Sequence, residues 1–282
     1  MNPNEKPNPV APRVLRLPLN ENGRDFIVGD IHGAFDLVVE AMKKVSFNRS
    51  TDRIISVGDL IDRGPQSARV IRFLESPYVF AVRGNHEQNL LSLYEGETPD
   101  EDVLKVVARM FNMEWWLTTS LEDRQKILDL IGRLPVVMEI ETRRGVVGVV
   151  HGDVPVGLSW PAFVKRIEAG DPAVLEVALE GRKRLRMRDE SGVEGVGRVY
   201  VGHSIQQGGP KRLGNVFAVD TGAILNHLKG AENYALTFAN IACRTESLST
   251  TGNGDVPSVI AFEEEDFGRP FGCYVGNAQP QG

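Results

Sequence analysis

The sequence predicts an α/β fold built around a mixed β-sheet. Six short apolar runs rich in Val and Ile each end in glycine and polar residues, which is typical of buried strands. Helical spacing of apolar residues separates the first three runs. The six predicted strands are Phe26–Val28, Arg53–Val57, Tyr78–Val82, Gly145–Val150, Arg198–Val201 and Val216–Val219.

Two helices and a hairpin complete the predicted elements. One helix follows the first strand, because five apolar residues recur at the spacing of one buried helix face. These residues are Phe35, Val38, Val39, Met42 and Val45. A shorter helix is predicted over Ser67–Leu74, and Val136–Val150 is predicted to be a hairpin that turns at residues 142–145.

Length and composition indicate a globular chain with two polar ends. The 282 residues are 41% hydrophobic and 25% charged, which is ordinary for a folded protein that buries a sizeable core. Residues 1–23 are rich in Pro and Asn and are expected to form a flexible arm, although Val14–Leu17 are compatible with a short strand. Residues 24–245 form the predicted domain, with a helical insertion at about 94–135. Residues 246–282 are expected to be a weakly structured tail.

Charge and hydropathy exclude several classes of partner. The formal net charge of −6 gives no general attraction to nucleic acid or to anionic lipid. No apolar run reaches 18 residues, and no apolar secretory segment stands near the beginning of the chain. Cys243 and Cys273 are expected to be reduced thiols, with a single disulfide between them as the alternative. We therefore expect a cytoplasmic protein that binds neither nucleic acid nor a membrane.

Aspartate, asparagine and histidine side chains follow the predicted strands. Ligands of α/β sheets bind at the carboxyl ends of strands, so these side chains are expected to converge on one site. Carboxylate, amide oxygen and imidazole together suit Mn, Fe or Zn better than Ca, and the absence of a thiolate argues against a structural zinc site. The polar segments are Gly29–Gly33, Gly58–Gly64, Gly84–Glu87, His151–Asp153 and Gly202–His203.

These motifs, in this order, resemble those of the phosphoprotein phosphatase branch of the metallophosphoesterases. The small serine/threonine protein phosphatases of bacteria and of bacteriophage lambda are especially similar. The resemblance covers roughly residues 25–245 and is specific, because GDxHG, GDxxDRG and GNHE occur together with two later histidines. It implies that residues 24–245 are a catalytic domain in which two mixed β-sheets pack as a sandwich flanked by helices.

The resemblance implies a site for two divalent metal ions, with Mn expected and Fe or Zn as alternatives. Asp30 and His32 would hold one ion. The other would be held by Asn85, His151 and His203. Asp59 would bridge the two ions, and a hydroxide held between them would attack phosphorus in line with the leaving group.

The same resemblance implies roles for four residues around the substrate. His86 would be the general acid that protonates the departing alkoxide of serine or threonine, and Asp62 would orient it and raise its pKa. Arg63 and Arg83 would bind the phosphate oxygens. The implied substrate is a phosphorylated protein or peptide.

The resemblance implies a further substrate-binding arginine between His151 and His203. Alignment on the family's Trp-x-Arg-Glu pattern places it at Arg188, although Arg186 stands where the family has tryptophan and Asp189 where it has glutamate. Elsewhere in the chain, structural roles are expected at several polar and aromatic residues. These are Glu87, Asp153, Asp220, Trp115 and Trp116.

Three other functions compete with a protein phosphatase. A symmetrical dinucleoside tetraphosphatase, or another hydrolase of small phosphoesters, is the nearest alternative. That family usually lacks the aspartate of DRG, reads GNHD and has a much longer insertion between the last two metal histidines, which here are 52 residues apart. A non-catalytic phosphate-binding module would lack a ligand or the acid, and a nuclease is disfavoured by net acidity and by the pairing of Asp62 with His86.

Overall fold

The computed structural model describes residues 12–96, 98–229, 233–242 and 259–262, which form two mixed β-sheets and ten α-helices. The strands are β1 Val14–Leu17, β2 Asp25–Val28, β3 Arg53–Ser56, β4 Val79–Ala81, β5 Val137–Thr142, β6 Gly145–Val150, β7 Arg198–Val201, β8 Lys211–Leu213, β9 Val216–Ala218, β10 Leu236–Asn240 and β11 Val259–Phe262. The helices are α1 Phe35–Lys44, α2 Val70–Leu74, α3 Asn85–Leu93, α4 Glu101–Phe111, α5 Glu114–Leu117, α6 Leu121–Gly132, α7 Trp160–Ala169, α8 Pro172–Glu180, α9 Lys183–Met187 and α10 Ala223–Lys229.

Each sheet combines parallel and antiparallel pairs. In the first sheet, with strand order β11-β10-β2-β3-β4, the strands β2, β3 and β4 are parallel and β10 is antiparallel to β2. In the second, ordered β1-β5-β6-β7-β9-β8, the hairpin β5–β6 adjoins the parallel strands β7 and β9. The carboxyl ends of the parallel strands in each sheet therefore share one edge, which is where ligands of α/β sheets bind.

The inner faces of the two sheets pack against each other. Ile27 and Ile55 from the first sheet share a buried apolar cluster with Val147, Val149 and Tyr200 from the second. Two further clusters cover the outer faces, one with α1 and the insertion helices and one with α7 and α8. The predicted sandwich of two mixed sheets flanked by helices is confirmed.

Helix α1 follows its predicted pattern with one exception. Its charges suit the helix dipole, since Asp36 lies in the first turn and Lys43 and Lys44 lie in the last. Val39, however, is 36% exposed, and Leu37 is buried in the inner face. The inner face is therefore rotated slightly from the one predicted.

Two strands lie within the segments that the sequence predicts to be an arm and a tail. β1 pairs in parallel with β5, from Val14 opposite Val137 to Leu17 opposite Ile140, so residues 14–17 are a sheet strand and not part of a flexible arm. β11, which was expected to be tail, pairs with β10. Cys243 and Cys273 lie outside the described residues. Within the described ranges, no helix is long and apolar enough to cross a membrane.

Candidate metal centre and general acid

The candidate ligands lie at the carboxyl ends of five strands and meet at one place. Two groups of side chains could each hold a metal ion, and Asp59 belongs to both. One group is His32, Asp59 and His86, and the other is Asp59, His151 and His203. The predicted convergence of the strand ends is therefore found in the structure.

Asp59 stands between the two groups, and each of its carboxylate oxygens faces a different one. Oδ2 lies 3.5 Å from Nε2 of His32, whereas Oδ1 lies 3.3 Å from Nε2 of His151. The backbone N–H of His86 also donates to Oδ1, at 3.1 Å. This geometry suits a carboxylate that is shared by two cations.

Asn85 contacts both histidines of the second group, and Asp30 contacts the backbone of one of them. Oδ1 of Asn85 lies 2.9 Å from Nε2 of His151 and 3.0 Å from Nδ1 of His203. Oδ2 of Asp30 accepts from the backbone N–H of His203 at 3.0 Å. The side-chain donor atoms of five predicted ligands are thus linked to one another, and Asp30 joins them through the backbone of His203.

Backbone carbonyls fix the orientation of two of the imidazoles. Nδ1–H of His32 donates to the carbonyl of Ile61, and Nδ1–H of His151 donates to that of Val57, both at 2.8 Å. In each ring Nε2 then faces the carboxylate of Asp59, which is the direction that a metal-binding nitrogen would take in this cluster. Nε2 of His32 is buried without a hydrogen-bond partner, which is the position expected of a ligand atom.

The charges of the cluster also suit bound cations. Burial, reinforced by the nearby charge of Asp220, raises the pKa of Asp30 well above its ordinary value. Burial lowers the pKa of His32 to about 3, and burial with the charges of His151 and Arg182 lowers that of His203 to about 3. At His151 burial also lowers the pKa, but the charge of Asp59 outweighs burial and raises it to about 10. At Asp59 burial raises the pKa, but the neighbouring histidines outweigh burial and hold it well below its ordinary value. A buried carboxylate whose ionised form is favoured, with imidazole nitrogens around it, is a donor set that suits divalent cations. The residues present therefore fit a metal centre.

Unusual backbone conformations concentrate at this cluster. Eight non-glycine residues of the described chain have positive φ, and five of them belong to the candidate metal centre or to the residues beside it. The five are His32, Asp59, Asp62, Arg63 and His203. Such conformations cost free energy and persist where the surrounding structure enforces them, often at functional sites.

Two glycines give the carboxylates the space that they occupy. A Cβ atom added at Gly84 would lie 2.2 Å from Oδ1 of Asp59, and one added at Gly202 would lie 2.2 Å from Oδ1 of Asp30. Since neither distance is possible, the glycines of these two motifs are needed for close packing around the site.

His86 is held by a carboxylate on one side and contacts an arginine on the other. Its Nδ1 lies 2.8 Å from Oδ2 of Asp62, and its Nε2 lies 3.2 Å from a terminal nitrogen of Arg63. Burial lowers the pKa of His86, but the hydrogen bond that its Nδ1–H donates to Asp62 and the charge of Asp59 outweigh burial, so the net pKa is raised. A raised pKa keeps a proton available for transfer near neutral pH.

Comparison with known proteins shows the family to which this chain belongs. Residues 26–167, half of the chain, match the calcineurin-like phosphoesterase family. The chain belongs to the metallophosphoesterases. This phosphoesterase is 30% identical over 206 residues to serine/threonine-protein phosphatase 1 of Salmonella typhimurium strain LT2, an alignment that covers 71% of this chain and 86% of that protein.

Two other relatives of the phosphoesterase match over shorter regions. Serine/threonine-protein phosphatase 2 of Escherichia coli strain K12 is 34% identical over 133 residues, which are 46% of this chain and 58% of that protein. A symmetrical bis(5'-nucleosyl)-tetraphosphatase of Coxiella burnetii is 30% identical over 178 residues, or 57% of this chain and 59% of that protein. The chain thus spans less than two thirds of these two relatives.

The arginines predicted to bind phosphate in this phosphoesterase differ in their surroundings. Arg63 contacts His86, whereas the guanidinium of Arg83 donates to the carbonyl of Gly132 at 2.9 Å and to Oε1 of Gln88 at 2.9 Å. Arg83 would have to exchange these bonds to reach a phosphate. Its binding role stays a prediction.

The arginines of the basic stretch, residues 182–188, differ in their surroundings. Arg188 is exposed at the end of α9, while the positive charge of Arg182 contributes to the lowered pKa of His203. Arg184 is buried and pairs with Asp153 at 3.2 Å. The role of Arg188 stays a prediction, and Arg182 is a candidate for phosphate binding that sequence alignment missed.

Glu87 organises the backbone around Asp59. Its Oε2 accepts from the N–H groups of Gly84 and Asp59, at 2.9 and 3.0 Å, and its Oε1 accepts from Leu60 at 2.8 Å. The side chain is fully buried, so water could not replace it as the hydrogen-bond acceptor for these N–H groups. Glu87 thereby supports the turn that presents Asp59.

Replacement of Glu87 by glutamine is expected to weaken metal binding by roughly 10–100-fold, the usual effect of losing a partner of a metal ligand. The amide would direct a donor at backbone N–H groups that need an acceptor. Calorimetric titration with Mn²⁺ measures the affinity. Glu122→Gln makes the same chemical change at an exposed position of α6 and should leave the affinity unchanged. Equal affinities in both variants would contradict the role of Glu87.

Trp115 is the residue near the acid that sequence reasoning did not place there. The pair Trp115–Trp116 was expected in the core of the insertion, and Trp116 is indeed fully buried. Nε1 of Trp115, however, donates to Oδ1 of Asp62 at 2.8 Å. These two residues are 53 positions apart, and no local pattern in the sequence connects them.

Proposed function

We propose that this phosphoesterase hydrolyses phosphate monoesters of serine and threonine side chains in proteins, with two divalent cations and with His86 as general acid. The observation that carries the proposal is the position of His86, held by Asp62 at 2.8 Å and with Nε2 4.0 Å from the shared carboxylate of Asp59. A proton donor beside a two-cation cluster suits an ester whose alkoxide leaves poorly unaided.

The proposed ligands are those that the cluster brings together. Asp30 and His32 would hold one cation, and Asp59 would be shared. The other would be held by Asn85, His151 and His203. When bound, two divalent cations supply positive charge that attracts phosphate oxygens and acidifies water. The mixture of carboxylate, amide and imidazole donors supports Mn, with Fe or Zn as alternatives.

The chain's own residues would bind the phosphate and handle the proton. Arg63, which is exposed and contacts Nε2 of His86, can turn its guanidinium toward non-bridging oxygens of the substrate. That movement frees Nε2 of His86 to carry the proton for the leaving oxygen. Asp62, bonded to Nδ1, stabilises the imidazolium before the transfer.

A symmetrical dinucleoside tetraphosphatase is the second candidate, favoured by the 30% identity to the Coxiella protein. The Asp62–His86 pair and the similarity to two protein phosphatases support the first candidate instead.

One substrate panel separates the candidates. The purified chain with Mn²⁺ is incubated with phosphoserine, phosphothreonine and phosphotyrosine peptides, diadenosine tetraphosphate and single-stranded DNA, with Asp59→Asn protein as the control for contaminating phosphatases. We expect the highest kcat/KM on the phosphoserine and phosphothreonine peptides. Preferential cleavage of the tetraphosphate would overturn the proposal in favour of the nucleotide hydrolase.

A further inference from the structure

The carboxylate of Asp62 has a different partner on each oxygen. Oδ2 accepts from Nδ1–H of His86, and Oδ1 accepts from the indole N–H of Trp115, both at 2.8 Å. Asp62 is 2% exposed, so water does not compete for these positions. Rotation of the carboxylate would break both bonds together, and its orientation is therefore fixed by the indole as well as by the imidazole.

The turn that carries Asp62 has a costly backbone conformation that contacts from another part of the chain must stabilise. Asp62 and the next residue, Arg63, both adopt the left-handed conformation, with φ of 68° and 63°. Two successive non-glycine residues in this region are costly and persist only where neighbours hold them. The backbone N–H of Arg63 donates to the carbonyl of Asn112 at 2.7 Å. Asn112 and Trp115 both belong to the helical insertion formed by α4 to α6.

Trp115 is itself held firmly by that insertion. Its carbonyl accepts from the hydroxyls of Thr118 and Thr119, each at 2.9 Å. Its ring meets that of Trp116 edge to face, with 5.3 Å between centroids. Trp116 is fully buried and donates its own indole N–H to the hydroxyl of Tyr94 at 2.8 Å. The insertion is therefore a packed unit that presents one indole N–H to Asp62.

We propose that Trp115 is a positioning residue for proton donation, acting through Asp62 on His86, and that the helical insertion serves the chemistry of the site in this way. The inference rests on the proposed hydrolase function. Without the indole N–H, Asp62 can turn and His86 loses its fixed direction toward the leaving oxygen. The rate of hydrolysis should then fall only for substrates whose leaving group needs a proton.

Trp115→Phe and Trp116→Phe form a matched pair for the test. Each deletes one indole N–H that is bonded at 2.8 Å, but only Trp115 contacts Asp62. Turnover is measured on phenyl phosphate, whose leaving group is basic, and on 2,4-dinitrophenyl phosphate, whose leaving group departs without a proton. Aryl phosphates test the inference without assuming a protein substrate.

For Trp115→Phe we expect kcat on phenyl phosphate to fall roughly tenfold, the lower end for loss of a supporting partner, with kcat on the dinitrophenyl ester nearly unchanged. Trp116→Phe should leave the ratio of the two rates at its wild-type value. On a His86→Asn background, Trp115→Phe should have no further effect on the ratio. Equal losses on both esters, no loss on either, or the same change in Trp116→Phe would overturn the inference.

A second readout does not depend on activity. In ¹⁵N-histidine-labelled protein, Trp115→Phe should move the ring Nδ1–H resonance of His86, and Trp116→Phe should leave it in place. An unmoved resonance in Trp115→Phe would overturn the positioning role even if the enzyme were inactive. Failure of the wild-type chain to cleave any ester would instead overturn the proposed function, so the two failures are distinguishable.

Discussion

Replacement of Asp59 by asparagine is expected to lower kcat/KM by roughly 10²–10³, the effect of removing one preorganised electrostatic group from an active site. The physical reason is its central position, with one oxygen 3.5 Å from His32 and the other 3.3 Å from His151. A neutral amide offers one oxygen and one NH₂ group there. It cannot attract a cation on both sides.

Metal content separates this explanation from a general loss of structure. The Asp59→Asn protein should bind Mn²⁺ more weakly at both positions, as measured by calorimetry and by metal analysis after dialysis. Asp52→Asn is the matched control, because Asp52 is also buried but its carboxylate pairs with Arg24, at 2.7 Å. We expect the control to retain two ions. Two ions with unchanged affinity in Asp59→Asn would refute the shared carboxylate.

The convergence of the site could be predicted because it follows from simple rules of sheet structure. Asp30, Asp59, Asn85, His151 and His203 each stand just beyond an apolar strand, and the carboxyl ends of parallel strands meet at one edge. The apolar runs identified six strands correctly. Division of these strands between two sheets did not follow from the runs, and it was expected only because the motifs resemble those of a known family.

Other features of the fold depend on long-range contacts that no local sequence pattern predicts. β10 is buried along its whole length, and its pairing with β2 joins segments more than 200 residues apart. The left-handed conformation of His32 and His203 is unusual for residues other than glycine, so propensity does not predict it. Such features are decided by tertiary packing.

The basic stretch of residues 182–188 also shows that sequence alone does not predict tertiary contacts. Arg182, Arg184 and Arg188 are chemically identical, yet the charge of the first helps to lower the pKa of His203, the second is buried against Asp153 and the third is exposed. A motif alignment with a substituted tryptophan cannot separate them, because their difference arises from how α8 and α9 pack near His151. The sequence likewise predicts only a structural role for Trp115, whereas its indole N–H donates a hydrogen bond to Asp62.

Replacement of His86 by asparagine is expected to lower kcat on a phosphoserine peptide by roughly 10²–10⁴, the range for loss of a general acid. An alkoxide is a poor leaving group, and the amide cannot supply the proton that imidazolium donates. The loss on p-nitrophenyl phosphate should be much smaller, because nitrophenolate leaves without protonation. Steady-state kinetics on the two substrates measure the difference.

The contrast between substrates, rather than the size of either loss, decides the role of His86. Its ring nitrogen lies 4.0 Å from Asp59, so its removal could also disturb the candidate metal centre. A disturbed centre would slow both substrates alike, since attraction of phosphate oxygens is common to both reactions. Unchanged Mn²⁺ content with a selective loss on the peptide therefore identifies proton donation. Equal losses on both substrates would assign His86 to the metal centre and leave the reaction without an identified acid.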